Sequence, residues 1–192
     1  MAQAKQSNLQ TPESQLHESE ARWFAVYTRF KSEKVVQRLL TQKNIESYLP
    51  LRRVTRRYTR KIKHHDIPLI SCYIFVKIVK PEYVPVLETE NVLKFIRFAR
   101  NLYAIPDAEI ELLRRIVGEA ENVEAEPGSY KEGDMVEVIG GNLTGLKGRM
   151  VEVQGKKHMI VELESIGYSL RMTIDIALLR RLWTPAKIGW PK

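Results

Sequence analysis

Arg22-Trp23-Phe24-Ala25-Val26-Tyr27-Thr28 is an aromatic and β-branched run that reads as a buried strand, and the rest of the chain can be placed around it. A helix follows at once: Ser32 can cap it, and Val35, Val36, Leu39 and Leu40 recur at helical spacing up to an end near Lys43 and Asn44. Next come two strand-like stretches, Ile45 to Val54 and Ile67 to Val79. The very basic connection Thr55 to His65 between them makes a long hairpin with a charged tip. Pro81 and Pro85 leave room for only a short helix or turn before Val92 to Phe98, whose apolar and basic residues alternate as in a strand. Pro106 and Asp107 then open an amphipathic helix with Ile110, Leu113 and Val117 in line, Leu112 and Ile116 beside them, and Gly118 as its stop. The expectation for residues 21–118 is an α+β unit, a four-stranded antiparallel sheet with helices packed on one face.

Outside this unit the composition changes. Residues 1–20 are polar and lack hydrophobic periodicity, so they are expected to be a disordered tail. Residues 119–129 carry Glu119, Glu121, Glu124 and Glu126 before Pro127-Gly128-Ser129 and read as a flexible acidic linker. Over 130–182, short apolar stretches broken by Gly or polar turns predict a small five-stranded β-barrel, since closure removes exposed strand edges. Residues 183–192, with two prolines, form a C-terminal tail.

The 192 residues carry 31 Lys plus Arg against 23 Asp plus Glu, a net charge of +8 that favours an anionic partner. The most apolar run, Ile67 to Val76, is too short for the roughly 18 to 20 residues that span a bilayer, and no secretory signal pattern opens the chain. With one Cys there is no internal disulfide. A soluble, monomeric protein of the bacterial cytoplasm, with no membrane partner, is expected.

Glu132-Gly133-Asp134-Met135-Val136-Glu137-Val138-Ile139-Gly140-Gly141-Asn142-Leu143-Thr144-Gly145-Leu146-Lys147-Gly148-Arg149-Met150-Val151 resembles the KOW motif, which ribosomal proteins and transcription factors share. Trp23 to Thr28, Tyr48-Leu49-Pro50, Pro68 to Val76 and Val92 to Phe98, in that order, resemble the signature elements of the NusG transcription elongation factor family. The Phe-Ile-Arg-Phe run and Tyr48-Leu49-Pro50 are more similar to its specialised antitermination paralogues, the RfaH and UpxY type. Where the family has Phe-Pro-Gly-Tyr or Phe-Pro-Asn-Tyr, this chain has Ile70-Ser71-Cys72-Tyr73, and Pro81 to Glu90 offers no match to the His-Thr-Thr polymerase contact of the RfaH type. Six glycines from Gly133 to Gly155 are poor helix material, so a permanent barrel is expected, without the helical refolding known for RfaH.

The resemblance implies a factor that docks on the RNA polymerase clamp through Phe24, Ile70, Tyr73, Phe95 and Ile96; the plainer reading makes these residues core. Arg52, Arg53, Arg56, Arg57, Arg60, Lys61 and Lys63, with Tyr58 among them, suit phosphates and a stacked base of upstream DNA or nascent RNA, or else form a solvated loop. Arg29 and Lys31 match the place where the paralogues touch non-template DNA. The turn Gly141, Asn142, Leu143, Thr144, Gly145 and Leu146 is the expected KOW surface for a small-subunit ribosomal protein or Rho. The adjacent His64 and His65 point to opposite faces of a strand, and Cys72 falls in a buried one, so neither a metal site nor a reactive thiol is expected. No cofactor motif or catalytic constellation stands out, so the chain is expected not to be an enzyme. The rival class is a ribosome-associated RNA-binding protein.

Overall fold

The computed structural model describes residues 15–58, 61–97, 101–119, 123–127, 133–153 and 156–182. The N-terminal unit runs β1 (Arg22–Thr28), α1 (Glu33–Gln42), β2 (Glu46–Tyr48), β3 (Leu51–Tyr58), β4 (Lys61–Pro68), β5 (Tyr73–Ile78), α2 (Tyr83–Leu87), β6 (Val92–Phe95) and α3 (Asp107–Glu119). Four strands form one antiparallel sheet in the order β2-β5-β1-β6, and β3 and β4 pair separately. β1 is therefore interior, as its apolar sequence requires.

Alternation along β1 sends side chains to two cores. Phe24 and Val26 join Ile74, Val76, Ile78 and Phe95 against Val36 and Leu40 of α1 and Val86 of α2. Trp23 and Ala25 join Phe75 and, from α3, Ile110, Leu113 and Ile116. The helices thus cover both faces, not one, because β1 and β5 are apolar on both sides. Ser32 is the N-cap of α1, but with φ −104° and ψ 0° its hydroxyl makes no capping bond. Asn44, at φ 58°, turns the chain just after α1 in the left-handed conformation that Asn tolerates.

Three boundaries differ from expectation. The expected hairpin is present, but its strands reach further into the basic stretch than its charged tip allowed: β3 and β4 run through it, with Arg53 opposite Asp66 and Arg56 opposite Lys63. Residues 15–20 are not free. Gln15 N–H donates to the Leu102 carbonyl at 2.9 Å, Lys80 N–H donates to the His17 carbonyl at 2.8 Å, and Leu16 packs on the helix-side core. Part of the acidic linker is β7 (Glu124–Pro127), which pairs with a later strand and places Ala125 against the other core. The rest of the expected tails and linker, 1–14, 120–122, 128–129 and 183–192, lies outside the described residues.

After β7 come β8 (Asp134–Val138), β9 (Lys147–Val153), β10 (Lys156–Leu163), β11 (Tyr168–Met172) and β12 (Leu179–Arg181). These are the five expected strands, and with β7 they form an antiparallel sheet in the order β12-β8-β9-β10-β11-β7. β7 covers β11, whose edge would otherwise be bare. Gly148 shows what the glycines do: a Cβ there would lie 2.4 Å from the Ile160 carbonyl oxygen, so only glycine lets β9 and β10 approach this closely. Among the described residues no helix is long and apolar enough to cross a membrane.

Candidate docking face and nucleic-acid interface

The turn between β4 and β5 places the central aromatic. Cys72 holds φ 66°, in the position where the family motif has Gly or Asn, and its N–H donates to Glu33 Oε1 at 2.7 Å. Thr28 N–H donates to the Cys72 carbonyl at 2.8 Å, so β1 and α1 together fix the turn. A carboxylate buried to 3% exposure spends itself on that one N–H, compensating a backbone that no glycine relaxes. Tyr73 then projects on the α3 side of the sheet. Its ring lies 5.6 Å from Tyr27 and 5.4 Å from Tyr168 of β11, both edge-on. Burial, seconded by Tyr168, pushes the Tyr73 hydroxyl up to about 12.

The five expected docking residues do not form one patch. Ile70, Tyr73 and Ile96 lie with the α3-side core. Phe24 and Phe95, 1% and 3% exposed, lie on the other face under α1 and α2, with ring centroids 6.4 Å apart. For these two the plain core reading holds, because strand alternation puts Phe24 out of phase with Tyr73: Phe24 faces Val76 across β5, and Tyr27 faces Tyr73.

Sequence reasoning missed what covers the α3-side face: the C-terminal unit itself. Its apolar residues, among them Val136, Leu143, Leu146, Leu163 and Ile166, belong to the same core cluster as Ile70 and α3. Polar contacts ring this seam. Arg115 of α3 donates to the Asn142 carbonyl at 2.9 Å and to the Thr144 carbonyl at 2.5 Å. Ser165 donates from N and Oγ to the Glu109 carboxylate, at 3.3 and 2.5 Å, and burial raises Glu109 above the usual carboxylate range. Arg52 Nη1 donates to the Val123 carbonyl at 3.2 Å. The expected KOW partner turn thus faces α3, with Leu143 and Leu146 buried and Gly141, Asn142, Thr144 and Gly145 exposed. No local pattern marks Glu109, Arg115, Ser165 or Tyr168, since their roles depend on contacts between residues 27 to 95 positions apart.

On the hairpin, Arg53 pairs with Asp66 at 3.2 Å on the surface, and Lys63, His64 and His65 are exposed. Arg52 differs from the expected nucleic-acid set, because its guanidinium is turned to Val123 and lies 4.0 Å from Glu124. Arg56, Arg57, Tyr58 and Lys61 are placed by their strand backbone, and Arg60 lies outside the described residues. Lys34 of α1 reaches the Asp66 carbonyl at 2.6 Å and ties the first turn of α1 to the hairpin. Arg29 and Lys31 are exposed in the loop before that turn, flanking Phe30. Among the described residues no three His, Cys, Asp or Glu side chains could hold a metal ion.

Comparison with known proteins agrees with this architecture. A solved structure described as "Domain interaction in Thermotoga maritima NusG" superposes with a TM-score of 0.54 at 17% identity, covering 85% of this chain and 98% of that one. Another, "Crystal Structure of MjSpt4:Spt5 complex conformation A", shares 17% identity over 83% of this chain and 97% of its own, with a TM-score of 0.30. At such identity the first likeness is one of fold, and the second is too loose to add to it. No curated protein matches the chain. The family model described as "Transcription termination factor nusG" matches residues 21–114, the span of the sheet, its hairpin and most of α3. Over residues 21–114, just under half of the chain, the sequence is therefore similar to the NusG family.

Proposed function

We propose that this protein is a transcription elongation factor of the antitermination kind, which docks on the bacterial RNA polymerase clamp through the face bearing Ile70, Tyr73 and Ile96. The observation that carries the reading is that this face of a NusG-like domain is closed by a separately built β unit. An apolar centre around Tyr73 is ringed by polar contacts at Glu109, Arg115 and Arg52, the anatomy of an interface that exchanges partners. Departure of the C-terminal unit bares the face for the clamp. It also frees the Asn142 and Thr144 carbonyls of the KOW turn for a second partner, a small-subunit ribosomal protein or Rho. Bridging the clamp shifts the balance between paused and active polymerase without covalent chemistry. Arg53, Arg56, Arg57, Arg60, Lys61 and Lys63 on the hairpin supply the sequence-independent contacts to upstream DNA or nascent RNA.

The test is binding of the full chain to core bacterial RNA polymerase at physiological salt with excess RNA competitor. Tyr73→Ala should weaken polymerase binding by roughly 30-fold or more, the scale of a buried aromatic anchor, and leave RNA affinity within twofold. Arg115→Ala, which loosens the seam, should strengthen polymerase binding. Binding that the RNA competitor abolishes, or equal loss of both affinities in Tyr73→Ala, would favour a ribosome-associated RNA-binding protein instead. The net charge of +8 suits that second reading equally well.

A further inference from the structure

We propose that the outward face of β8 and β12, where Ile139 and Leu178 lie exposed beside Ile176, is the docking site of the chain's own residues 183–192. Strand alternation makes this face. Val136 and Val138 of β8 are buried in the core, so Met135, Glu137 and Ile139, just past the strand, point the other way. Opposite them, the Ile139 N–H donates to the Leu178 carbonyl at 2.8 Å, Arg180 pairs with Glu137 at 2.6 Å, and the Leu182 N–H donates to the Met135 carbonyl at 2.8 Å. The face is thus apolar at both ends, with an ion pair between.

The exposure is concentrated. Ile139, Ile176 and Leu178 are 50%, 56% and 38% exposed, and among the described residues they are the exposed large apolar side chains of the C-terminal unit. They adjoin: Ile176 to Leu178 is a single 3-10 turn, and a Cβ on Gly140, next to Ile139, would lie 3.1 Å from Leu178 Cδ2. One exposed apolar residue needs no explanation, but a cluster marks a contact surface. The seam lies elsewhere, since its Leu143, Leu146, Leu163 and Ile166 are buried. β12 is an edge of the sheet and three residues long, so it is the strand that gains most from a cover.

Reach, composition and charge name the occupant. Leu182 is the last described residue, and 183–192 follow it with Trp183, Pro185, Lys187, Ile188, Trp190 and Lys192, two of the chain's three tryptophans and no acidic residue. Leu178 lies at most about 14 Å back along β12, and from Leu182 the chain reaches about 20 Å to Ile188 and about 27 Å to Trp190. Pro185 favours the reversal this path needs, and Ile188 and Trp190, two apart, share a face when extended. Asp175, exposed at the head of the 3-10 turn, offers Lys187 a counter-charge, while Arg180 and Arg181 are met by Glu137 and Asp134. A segment tethered this closely acts at an effective concentration in the millimolar range, which a second copy or a free peptide does not match.

The experiment is acrylamide quenching of tryptophan emission in the full chain, where buried Trp23 supplies a constant background. Ile139→Glu and Ile176→Asp, both at exposed positions, should red-shift the emission and increase quenching, because they expel Trp183 and Trp190. Neither change should alter quenching in the Trp183→Phe, Trp190→Phe chain, which reports Trp23 alone and so registers any loss of fold. Trp190→Ala should speed amide exchange in β12 at least about fivefold relative to β9, and Trp190→Phe should restore it. Wild-type emission from Trp183 and Trp190 as quenchable as that of free tryptophan, or unmoved by both Ile139→Glu and Ile176→Asp, would overturn the docking. Shielding that disappears on dilution would assign the face to a second copy and overturn it equally.

Discussion

Glycine and its absence act at different points of this molecule. At Gly148 the neighbouring strand leaves no room for a methyl group: Ile160 O would lie 2.4 Å and the Met159 terminal carbon 2.9 Å from it. Gly148→Ala should therefore cost about 1–3 kcal/mol, the range for forcing an extra carbon into a packed site, seen as a lower urea midpoint with an unchanged m-value. At Cys72 the opposite holds, since a non-glycine residue sits at positive φ. The compensation comes from elsewhere in the chain, from the buried Glu33 carboxylate that accepts its N–H. The family pattern made Ile70-Ser71-Cys72-Tyr73 look like a departure. The structure shows the turn retained, with 39 residues of sequence separating the strained position from the group that steadies it.

Among the elements, β7 departs most from the sequence reading. Its acidic residues lack a hydrophobic run, so composition marks a linker. What makes it a strand is its backbone pairing with β11, and Arg171 of β11 reaches across to both Glu124 and Glu126, the latter at 2.9 Å. The Arg171 hydrogen bond holds Glu124 below the usual carboxylate range. Because its folded value is depressed, the support that Glu124 gives β7 is present above the ordinary carboxylate range and fades as pH falls through the lowered one. Arg171→Ala should raise amide exchange in β7 at neutral pH well above that in β9, measured by hydrogen–deuterium exchange, and acidification of the wild type should begin to do the same. The sheet strands, α1 and α3 were legible because apolar periodicity is local. The hairpin was legible, but Thr55 to His65 was taken as its charged tip, whereas β3 and β4 carry Arg and Lys along their paired length almost to the turn. Of the expected docking residues, Tyr73, Ile70 and Ile96 lie on the α3-side face and Phe24 and Phe95 on the other, a split the sequence does not show because only the pairing register says which face of a two-sided strand a residue takes.

Across the whole molecule, a carboxyl group titrates at the seam between the two units. Glu109, facing Ser165 and the nearby Glu164, is raised mainly by burial, so its protonated form is favoured when the seam is closed. For a group whose folded value is raised, the stabilisation is full below the unfolded value and is lost as pH rises through the raised one. Closure should therefore tighten as the medium is acidified from neutrality through that range, and polymerase binding should weaken in parallel. Glu109→Gln, neutral at every pH and still able to meet Ser165, should remove this dependence and hold the units together more firmly at pH 7, as read by energy transfer between probes on Asn142 and Glu46. A pH dependence undiminished in Glu109→Gln would assign it to another group.

The place of β7 also sets how far the C-terminal unit can travel. With β7 seated on β11, only residues 120–123 join α3 to that sheet, and a chain of that length reaches at most about 17 Å between Glu119 and Glu124. If β7 peels away, the free connection runs from Glu119 to Asp134, with a limit of about 50 Å. The strand thus stores tether length, as line is stored on a reel. On the proposed function, a seated β7 would keep the C-terminal unit close to the aromatic face that it covers. Paid out, it lets that unit search a much larger volume and lowers its effective concentration at the face it left.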